Sequence, residues 1–377
     1  MISPRTLLLP ITISLLTLAS CQWKHAPQKE EDGDTLRMKY ATLLHIVKYD
    51  GYTTATIDNP WNPGTILHKY VLVEKNAPLP SPLPSGTLVR IPTEKNVVFN
   101  TAHCQLMEWL GAEKQLSGVA DLKYILIPYV KEGVASGSIA DCGDGMNPVI
   151  EKVVDLSPDL LMLSPFENSG GYGRLESLGI PLMECADYME SSALARAEWM
   201  LFYGILLGKE RESDSLFAVV DSSYHSLMST AKSSKSKRSI ITEKLTGSTW
   251  YVPGGKSTVG RLISDANGSY AWSGDTHSGS LAMTFETVLD KAGESDVWIF
   301  NYFGSGNLTY SRLASEYSGY KQMKAFKSHE TWYVDTQQVP YFEEVSFRPD
   351  YLLRDYITLL HPELGLGHPR YYSPVAE

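Results

Sequence analysis

Outside its first twenty residues, the chain is most apolar just past its middle, in residues 190–209 (ESSALARAEWMLFYGILLGK). Nearly every position in residues 199–207 is apolar. A helix that is apolar on most sides is buried on most sides. Twenty helical residues span about 30 Å, the width of a small domain, and the apolar part is shorter than a membrane span. The pattern predicts either one long helix buried against two bodies or a core helix of a single domain.

Short strand and helix patterns alternate on both sides of this segment. Before it, the β-branched run at residues 97–99 leads into a helix that can begin at Thr101, and residues 147–163 predict a helix followed by a buried strand. After it, residues 239–245 and 296–303 predict strands with helices between them. Units of this length, alternating in this order, are typical of parallel α/β layers.

The spacing Glu-x-Val-x-Asp begins at Glu151 and again at Glu286, each time in a helix followed by a strand. This repeat predicts two related lobes, residues 36–189 and 210–377. We therefore interpret residues 190–209 as the connecting helix, which would touch both lobes and carry no ligand contact.

Residues 36–91 have a different pattern of apolar and polar positions. Short alternating stretches are separated by Asn-Pro, Pro-Gly and a proline-rich segment, which is typical of strands and turns. We expect an antiparallel addition to the first lobe, whose role the sequence leaves open.

The first 21 residues have the pattern of a secretory signal peptide, with one arginine before an apolar run and small residues at its end. The tetrapeptide that ends at Cys21 (LASC) resembles the lipobox of bacterial lipoproteins, in which the cysteine is acylated. The alternative is a plain signal peptide with an unmodified cysteine. Residues 22–35 are mostly polar and charged, so we predict a flexible tether there.

Composition narrows the function classes. The net charge of −10 argues against a nucleic-acid partner. The chain has no CxxC or HExxH spacing, no phosphate-binding GxxxxGK[ST] loop and no GxSxG elbow, so we expect neither a metal site nor an enzyme. Apart from Cys21 there are three cysteines, Cys104, Cys142 and Cys185, of which any two could pair in an oxidising compartment.

Four stretches together resemble a known family. They are NPVIEKVVDLSPDLLMLSP at residues 147–165 followed by LGIP at 178–181, VPGGKSTVGRLISDANG at 252–268, HETWYVD at 329–335 and RPDYLLRDYITLLHPEL at 348–364. Their order resembles the substrate-binding proteins of bacterial ABC importers for ferric siderophores, haem and cobalamin. The resemblance covers roughly residues 96–364 and leaves residues 36–91 unmatched.

The resemblance implies an α/β fold of two Rossmann-like lobes with parallel central sheets, joined by one long helix, with the ligand in the cleft between them. It implies a monomer with no cofactor of its own, which hands an iron chelate (a ferric siderophore or haem) to the permease. Cobalamin is the alternative ligand. Glu151 and Glu286 match the acidic residues that meet basic residues of the permease, although each would also stabilise its helix as a first-turn carboxylate.

Ligand contacts are expected in loops at the carboxyl ends of strands. With 22 Tyr and 8 Trp in the chain, we predict a mostly aromatic set, because flat rings suit a corrin, a porphyrin or a catecholate. The predicted contacts are His103, Tyr124 and Tyr172 in the first lobe and Trp250, Tyr251, Tyr270, Trp272 and Tyr302 in the second. Each ring could instead pack a lobe edge, and His103 could either bind the ligand's metal or serve a structural role.

The predicted location is extracytoplasmic, with a lipid anchor as the only membrane attachment. The periplasmic face of the inner membrane is favoured. The acidic residues 29–34 (KEEDGD) keep open the outer-membrane surface and a scavenger that has no permease.

Overall fold

A computed structural model describes residues 33–167, 171–304 and 306–377. The predicted signal peptide, Cys21 and residues 22–32 of the predicted tether lie outside the described residues. Within the described residues, no helix is long and apolar enough to cross a membrane.

The chain begins with a five-stranded sheet that the family resemblance does not cover. Its strands are β1 (Asp34–Leu36), β2 (Leu44–Tyr49), β3 (Tyr52–Asp58), β4 (Ile66–Glu74) and β5 (Thr87–Ile91), in that spatial order. Neighbours are antiparallel, as predicted, except for the parallel pair β4–β5. Asp34 and Thr35, which the sequence assigned to the tether, are paired residues of β1.

The first lobe is built on a parallel sheet of order β12-β11-β6-β7-β8. Leu160–Leu163 is buried at every position, which explains why an unbroken apolar run marks this strand. The strands of this sheet are β6 (Asn96–Val98), β7 (Leu116–Val119), β8 (Ala140–Asp141), β11 (Leu160–Leu163) and β12 (Leu182–Glu184). A small separate hairpin consists of β9 (Gly143–Asp144) and β10 (Asn147–Pro148). The helices of this lobe are α1 (Thr101–Trp109), α2 (Pro128–Ser136) and α3 (Ile150–Leu156).

The central segment is not the single helix that its apolar pattern predicted. After a 3₁₀ turn (Ala186–Met189), it forms two short helices, α4 (Ala193–Glu198) and α5 (Met200–Leu207). Gly208 ends α5 with a φ of 64°, a left-handed conformation that glycine adopts without strain. Residues 190–209 therefore end before the long helix of the molecule begins.

The long helix is α6 (Glu210–Ser233), which leads from α5 to the second lobe. Its 24 residues span about 36 Å. Gly204 of α5 lies so close to α6 that a Cβ atom there would be 2.1 Å from the hydroxyl of Ser213. The connecting helix of the predicted fold is thus α6, and α5 packs against its first turns.

The second lobe contains a sheet of order β13-β17-β18-β19, in which only β19 is antiparallel, and a smaller antiparallel sheet β14-β15-β16. Its strands are β13 (Ile240–Thr242), β14 (Leu245–Thr246), β15 (Thr249–Pro253), β16 (Ser280–Met283), β17 (Val297–Tyr302), β18 (Thr331–Asp335) and β19 (Ser373–Pro374). Its helices are α7 (Thr258–Asp265), α8 (Phe285–Ala292), α9 (Tyr310–Glu316), α10 (Lys324–Lys327), α11 (Tyr341–Glu344) and α12 (Pro349–Leu360).

Two lobes with parallel sheets, joined through one long helix, confirm the predicted fold class. The residues that follow β6 and β7 in the first lobe and β17 and β18 in the second line one common cleft. This edge, the carboxyl end of parallel strands, is where α/β proteins place ligands.

Candidate functional site

The cleft has a volume of about 460 Å³, within the usual range for a small-molecule site. It is lined by Phe99, Asn100, Thr101, Ala120, Asp121, Tyr124 and Ile125 from the first lobe, Arg196 from α4, and Phe303, Thr336, Phe342, Val345 and Ser346 from the second. Asn100 caps α1 by accepting a hydrogen bond from the backbone N–H of Ala102 at 2.9 Å. The cap fixes the loop that carries Asn100 and Thr101 into the cleft.

Aromatic rings of both lobes meet at the cleft. The rings of Tyr124 and Phe303 have centroids 6.1 Å apart in an edge-to-face arrangement. They are 51% and 63% exposed, and Phe342 is 52% exposed. Single exposed rings are common, but exposed rings grouped in one cleft mark a binding surface, so these three are the strongest candidates for ligand contacts.

Arg196 contributes a positive charge to the cleft. Its Nε donates a hydrogen bond to Asp187 at 3.1 Å, and its side chain is 26% exposed. Asp187 is 1% exposed and also accepts hydrogen bonds from His103 Nε2 at 3.1 Å and from the Tyr203 hydroxyl at 2.9 Å. Arg196 lines the cleft with this bond in place, so it offers a positive charge to the cleft.

The buried cluster shifts two pKa values. Burial by itself lowers the pKa of His103, but the charge interactions with Cys185 and Asp187 outweigh it and raise that pKa to about 10. Burial raises the pKa of the Asp187 carboxyl, whereas the charges of His103 and Arg196 lower it, and the net shift is downward. The cluster is therefore a buried carboxylate held between two cations.

A second buried carboxylate joins the lobes beneath the cleft. Glu343 of α11 is 2% exposed. Its Oε1 accepts hydrogen bonds from the Leu126 backbone N–H at 3.0 Å and from the Thr101 hydroxyl at 3.2 Å. Both donors belong to the first lobe, so α11 fixes the distance between the two walls of the cleft.

Of the eight predicted ligand contacts, the structure places Tyr124 on the cleft. His103 lies in the buried cluster beneath it. Tyr172 lines a separate surface cavity of the first lobe, where its hydroxyl bonds to Glu184 at 3.0 Å. The cleft lining does not include either residue.

The five predicted contacts of the second lobe also lie outside the cleft lining. Trp250 and Tyr270 are buried and donate hydrogen bonds to the carbonyl oxygens of Thr242 and Pro253, at 2.9 Å and 2.6 Å. Trp272 and Tyr302 are 5% and 4% exposed. Tyr251 is 47% exposed and lines a different cavity. Most of these rings thus occupy packing positions.

Sequence reasoning did not select Arg196, Phe303 or Phe342 as ligand contacts. Arg196 falls in the segment that was expected to carry no ligand contact, yet it lines the cleft. A signal was present, because it is the one basic residue between Glu190 and Leu207. An arginine in a helix that is mostly buried is expected to have a charged partner or to serve a binding site.

Glu151 and Glu286 occupy equivalent positions, each in the first turn of its helix, α3 and α8. Both are exposed. Glu151 lies 3.7 Å from Arg174 in an exposed ion pair, which contributes little to stability. Both carboxylates are therefore accessible to a partner.

Cys104, Cys142 and Cys185 are buried free thiols. Burial raises the pKa of Cys104 to about 12 and that of Cys142 to about 11, so these two remain protonated at neutral pH. Among the described residues, no three His, Cys, Asp or Glu side chains group as metal ligands would.

The sequence matches one known protein family and two uncharacterized lipoproteins. The family described as periplasmic binding protein matches residues 97–335, more than half of the chain. An uncharacterized lipoprotein of Methanocaldococcus jannaschii is 23% identical over 368 residues, which cover 91% of this chain and 86% of that protein. A second uncharacterized lipoprotein of the same organism is 23% identical over 330 residues, covering 82% and 80%.

Solved structures share the fold at lower identity. A periplasmic haem-binding protein of Pseudomonas aeruginosa has a TM-score of 0.59 at 14% identity and covers 76% of this chain and 99% of its own. A petrobactin-binding protein of Bacillus subtilis has a TM-score of 0.57 at 18% identity, covering 72% and 94%. A periplasmic catecholate-siderophore binding protein of Vibrio cholerae has a TM-score of 0.55 at 16% identity, covering 80% and 99%.

Proposed function

Since the chain belongs to the periplasmic binding protein family, we propose that it is the substrate-binding component of an ABC importer and captures an iron chelate in the cleft between its lobes. The observation that carries this proposal is the set of exposed rings from both lobes, Tyr124, Phe303 and Phe342, beside the guanidinium of Arg196. Flat rings stack on catecholate or porphyrin surfaces, and Arg196 would pair with an anionic group of the chelate. The chelated iron belongs to the ligand, and the chain binds the chelate through its organic part.

The named ligands of three proteins with the same fold support this choice, since they are haem, petrobactin and a catecholate siderophore. The extracytoplasmic location follows from the family and from the lipoproteins among the relatives. Acylation at Cys21 would attach the protein to a membrane, and a permease would receive the chelate.

The direct test is a titration of the purified protein, followed by tryptophan fluorescence, with ferric siderophores of the catecholate and hydroxamate types, haem and cobalamin. We expect saturable binding of an iron chelate. Binding of cobalamin alone would assign the protein to the corrinoid branch instead, and binding of none of them would refute the proposed function.

Removing both facing rings with Tyr124→Ala/Phe303→Ala is expected to weaken chelate binding by about tenfold or more. Each ring contributes roughly 0.5–1.5 kcal/mol beyond its buried area, and about 1.4 kcal/mol is a factor of ten. The matched control is Phe166→Ala, which removes a 45% exposed ring of the first lobe that does not line the cleft. Equal affinities for the double variant and the control would show that the ligand binds elsewhere.

Charge reversal of both docking candidates, Glu151→Lys/Glu286→Lys, is expected to abolish import while chelate affinity stays within about twofold. The reason is that two exposed carboxylates on equivalent helices would meet basic residues of the permease, and like charges placed opposite each other are costly. The measurement is uptake of the iron-labelled chelate by cells that carry the variant as their only copy. Uptake at the wild-type rate, with chelate affinity unchanged, would remove the docking role of these two residues.

A further inference from the structure

The second lobe contains another cavity, of about 320 Å³, which shares no lining residue with the cleft. It opens where the chain leaves β13 and is lined by Glu243, Tyr251, Thr258, Ser278 and Ser280, among others. Hydroxyl groups dominate this lining, and the Tyr251 ring is 47% exposed. The cavity is therefore polar, with one open aromatic face.

Among the residues of this cavity, Glu243 stands out because its carboxylate has no partner among the described residues. Its backbone is fixed on both sides, because its N–H donates to the Ile299 carbonyl at 2.8 Å and its carbonyl accepts from the Trp298 indole at 2.6 Å. Its side chain is partly buried. Within the described residues, neither a hydrogen bond nor a cation stabilises its carboxylate, and burial alone raises its pKa.

The neighbouring lysine does not supply the missing charge. Lys244 also lines the cavity, but its Nζ lies 2.6 Å from Glu316 Oε2 and is committed to that ion pair. The Thr258 hydroxyl, a second polar group of the lining, donates to the Glu190 carbonyl at 3.2 Å. Both of these neighbouring groups are thus committed elsewhere, and neither is a partner of the Glu243 carboxylate.

Glu243 also has a strained backbone, with a φ of 65° in the left-handed region. Glutamate rarely adopts this conformation. Its carboxylate is partly buried without a partner among the described residues, which is a second cost at the same residue. Two such costs at one position, beside a cavity, indicate a residue that serves binding rather than folding.

The chemistry of the lining selects the class of ligand. A partly buried carboxylate without a partner favours a cation. A divalent metal ion is a poor match, because Ca²⁺ takes six to eight oxygen ligands and Mg²⁺ requires octahedral geometry, whereas Glu243 is the only carboxylate among the described residues that line the cavity. A protonated amine has three donors, which match the carboxylate and the hydroxyls of Ser278 and Ser280, and its charge can lie against the ring of Tyr251.

We propose that this cavity binds the protonated amino group of a small organic cation, with Glu243 as its counter-ion. The site is independent of the iron chelate in the cleft. The second lobe would hold such a cation without competing with the chelate for Arg196.

Spermidine is the probe, titrated calorimetrically into the purified full-length protein at 150 mM salt, which screens non-specific attraction to an acidic protein. We expect one saturable site per chain, weakened at least tenfold by Glu243→Gln. The matched control is Glu132→Gln, which removes the same charge from an exposed position on α2 in the other lobe. Absence of saturable binding, or equal affinities for the two variants, would overturn the proposal.

Thermal unfolding provides a second measurement that a structural role would not reproduce. Without spermidine, Glu243→Gln is expected to melt at or above the wild-type temperature, because it removes an unpaired charge. At the same spermidine concentration, the wild-type protein should gain more stability than the variant, because it binds spermidine more tightly. A variant that melts clearly lower without spermidine would show that the carboxylate has a structural partner, and the proposal would fail. Neither measurement includes an iron chelate, so either proposal can fail alone.

Discussion

Replacing Asp187 with alanine is expected to lower the free energy of unfolding by about 3–5 kcal/mol, the range for removing one partner of a buried ion pair. The carboxylate is 1% exposed and accepts hydrogen bonds from His103, Arg196 and Tyr203. Without it, His103 and Arg196 lose their carboxylate partner, and the Tyr203 hydroxyl loses its acceptor. The measurement is urea denaturation at neutral pH, followed by circular dichroism.

The matched control is Asp214→Ala, which removes an exposed carboxylate from α6 and should change the free energy of unfolding by no more than about 0.5 kcal/mol. Arg196 also loses the partner that orients it, so the Asp187 variant should bind the chelate more weakly even where it remains folded. If Asp187→Ala were as stable as the control, the buried cluster would not be an ion pair in solution.

The same cluster gives stability a defined pH dependence. The pKa of His103 is raised from 6.5 to about 10 in the folded chain, so the imidazolium stabilises fully below about pH 6.5 and loses its contribution as pH rises through about 10. The pKa of Asp187 is lowered, so its contribution is present above the ordinary value of 3.8 and is lost as pH falls. The wild-type protein should therefore lose stability as pH rises from 7 to 10, and the loss should be smaller in Asp187→Ala, in which only the interaction with Cys185 still raises the pKa of His103.

The sequence predicted the two-lobed fold because buried parallel strands leave a signature that survives in one dimension. Leu160–Leu163 and Val297–Tyr302 are almost continuous apolar runs, each preceded by a helix with the same Glu-x-Val-x-Asp spacing. The position of the long helix was harder to predict. Residues 199–207 are apolar on all sides, and this pattern favoured them as the buried connecting helix. The sequence of α6 has one polar face, which is typical of an ordinary surface helix.

The site was less predictable, for a different physical reason. Aromatic residues serve both cores and binding sites, and the sequence does not show which face of its lobe each ring occupies. Trp250 and Phe303 both lie near strand ends, yet Trp250 is buried with its indole N–H bonded, and Phe303 is open to the cleft. Whether such a ring is buried or faces the cleft depends on how β15 and β17 are arranged in the fold, which the sequence alone does not show.

Replacing Glu198 with alanine is expected to detach residues 37–43 from α4 and to lower the free energy of unfolding by about 2–4 kcal/mol. Glu198 is 2% exposed, and its two oxygens accept hydrogen bonds at 2.7 Å from the backbone N–H groups of Lys39, Tyr40 and Ala41. Hydrogen bonds to a charged acceptor contribute about 1.5–3 kcal/mol each. The total is smaller than their sum, because water can replace some of the lost acceptors at this partly exposed loop.

The effect should be local, since Glu190 holds the next part of the same loop. Its carboxylate accepts from the backbone N–H groups of Thr42 and Leu43, both at 2.9 Å. Hydrogen–deuterium exchange of Glu198→Ala should therefore accelerate in residues 37–41 and in β1, while the amides of β11 keep the wild-type rate. Glu132→Ala is the matched control, because it removes an exposed carboxylate from α2 and places a good helix former there.

Glu198 and Arg196 belong to the same short helix, α4, and face different parts of the molecule. Glu198 binds the loop between β1 and β2 of the N-terminal sheet, and Arg196 lines the cleft. The N-terminal sheet, which lies outside the family match at residues 97–335, is thus held by the helix that supplies the cleft with its cation. If exchange in β11 rose as much as in β1, Glu198→Ala would have loosened the whole first lobe, and the sheet would be an inseparable part of it.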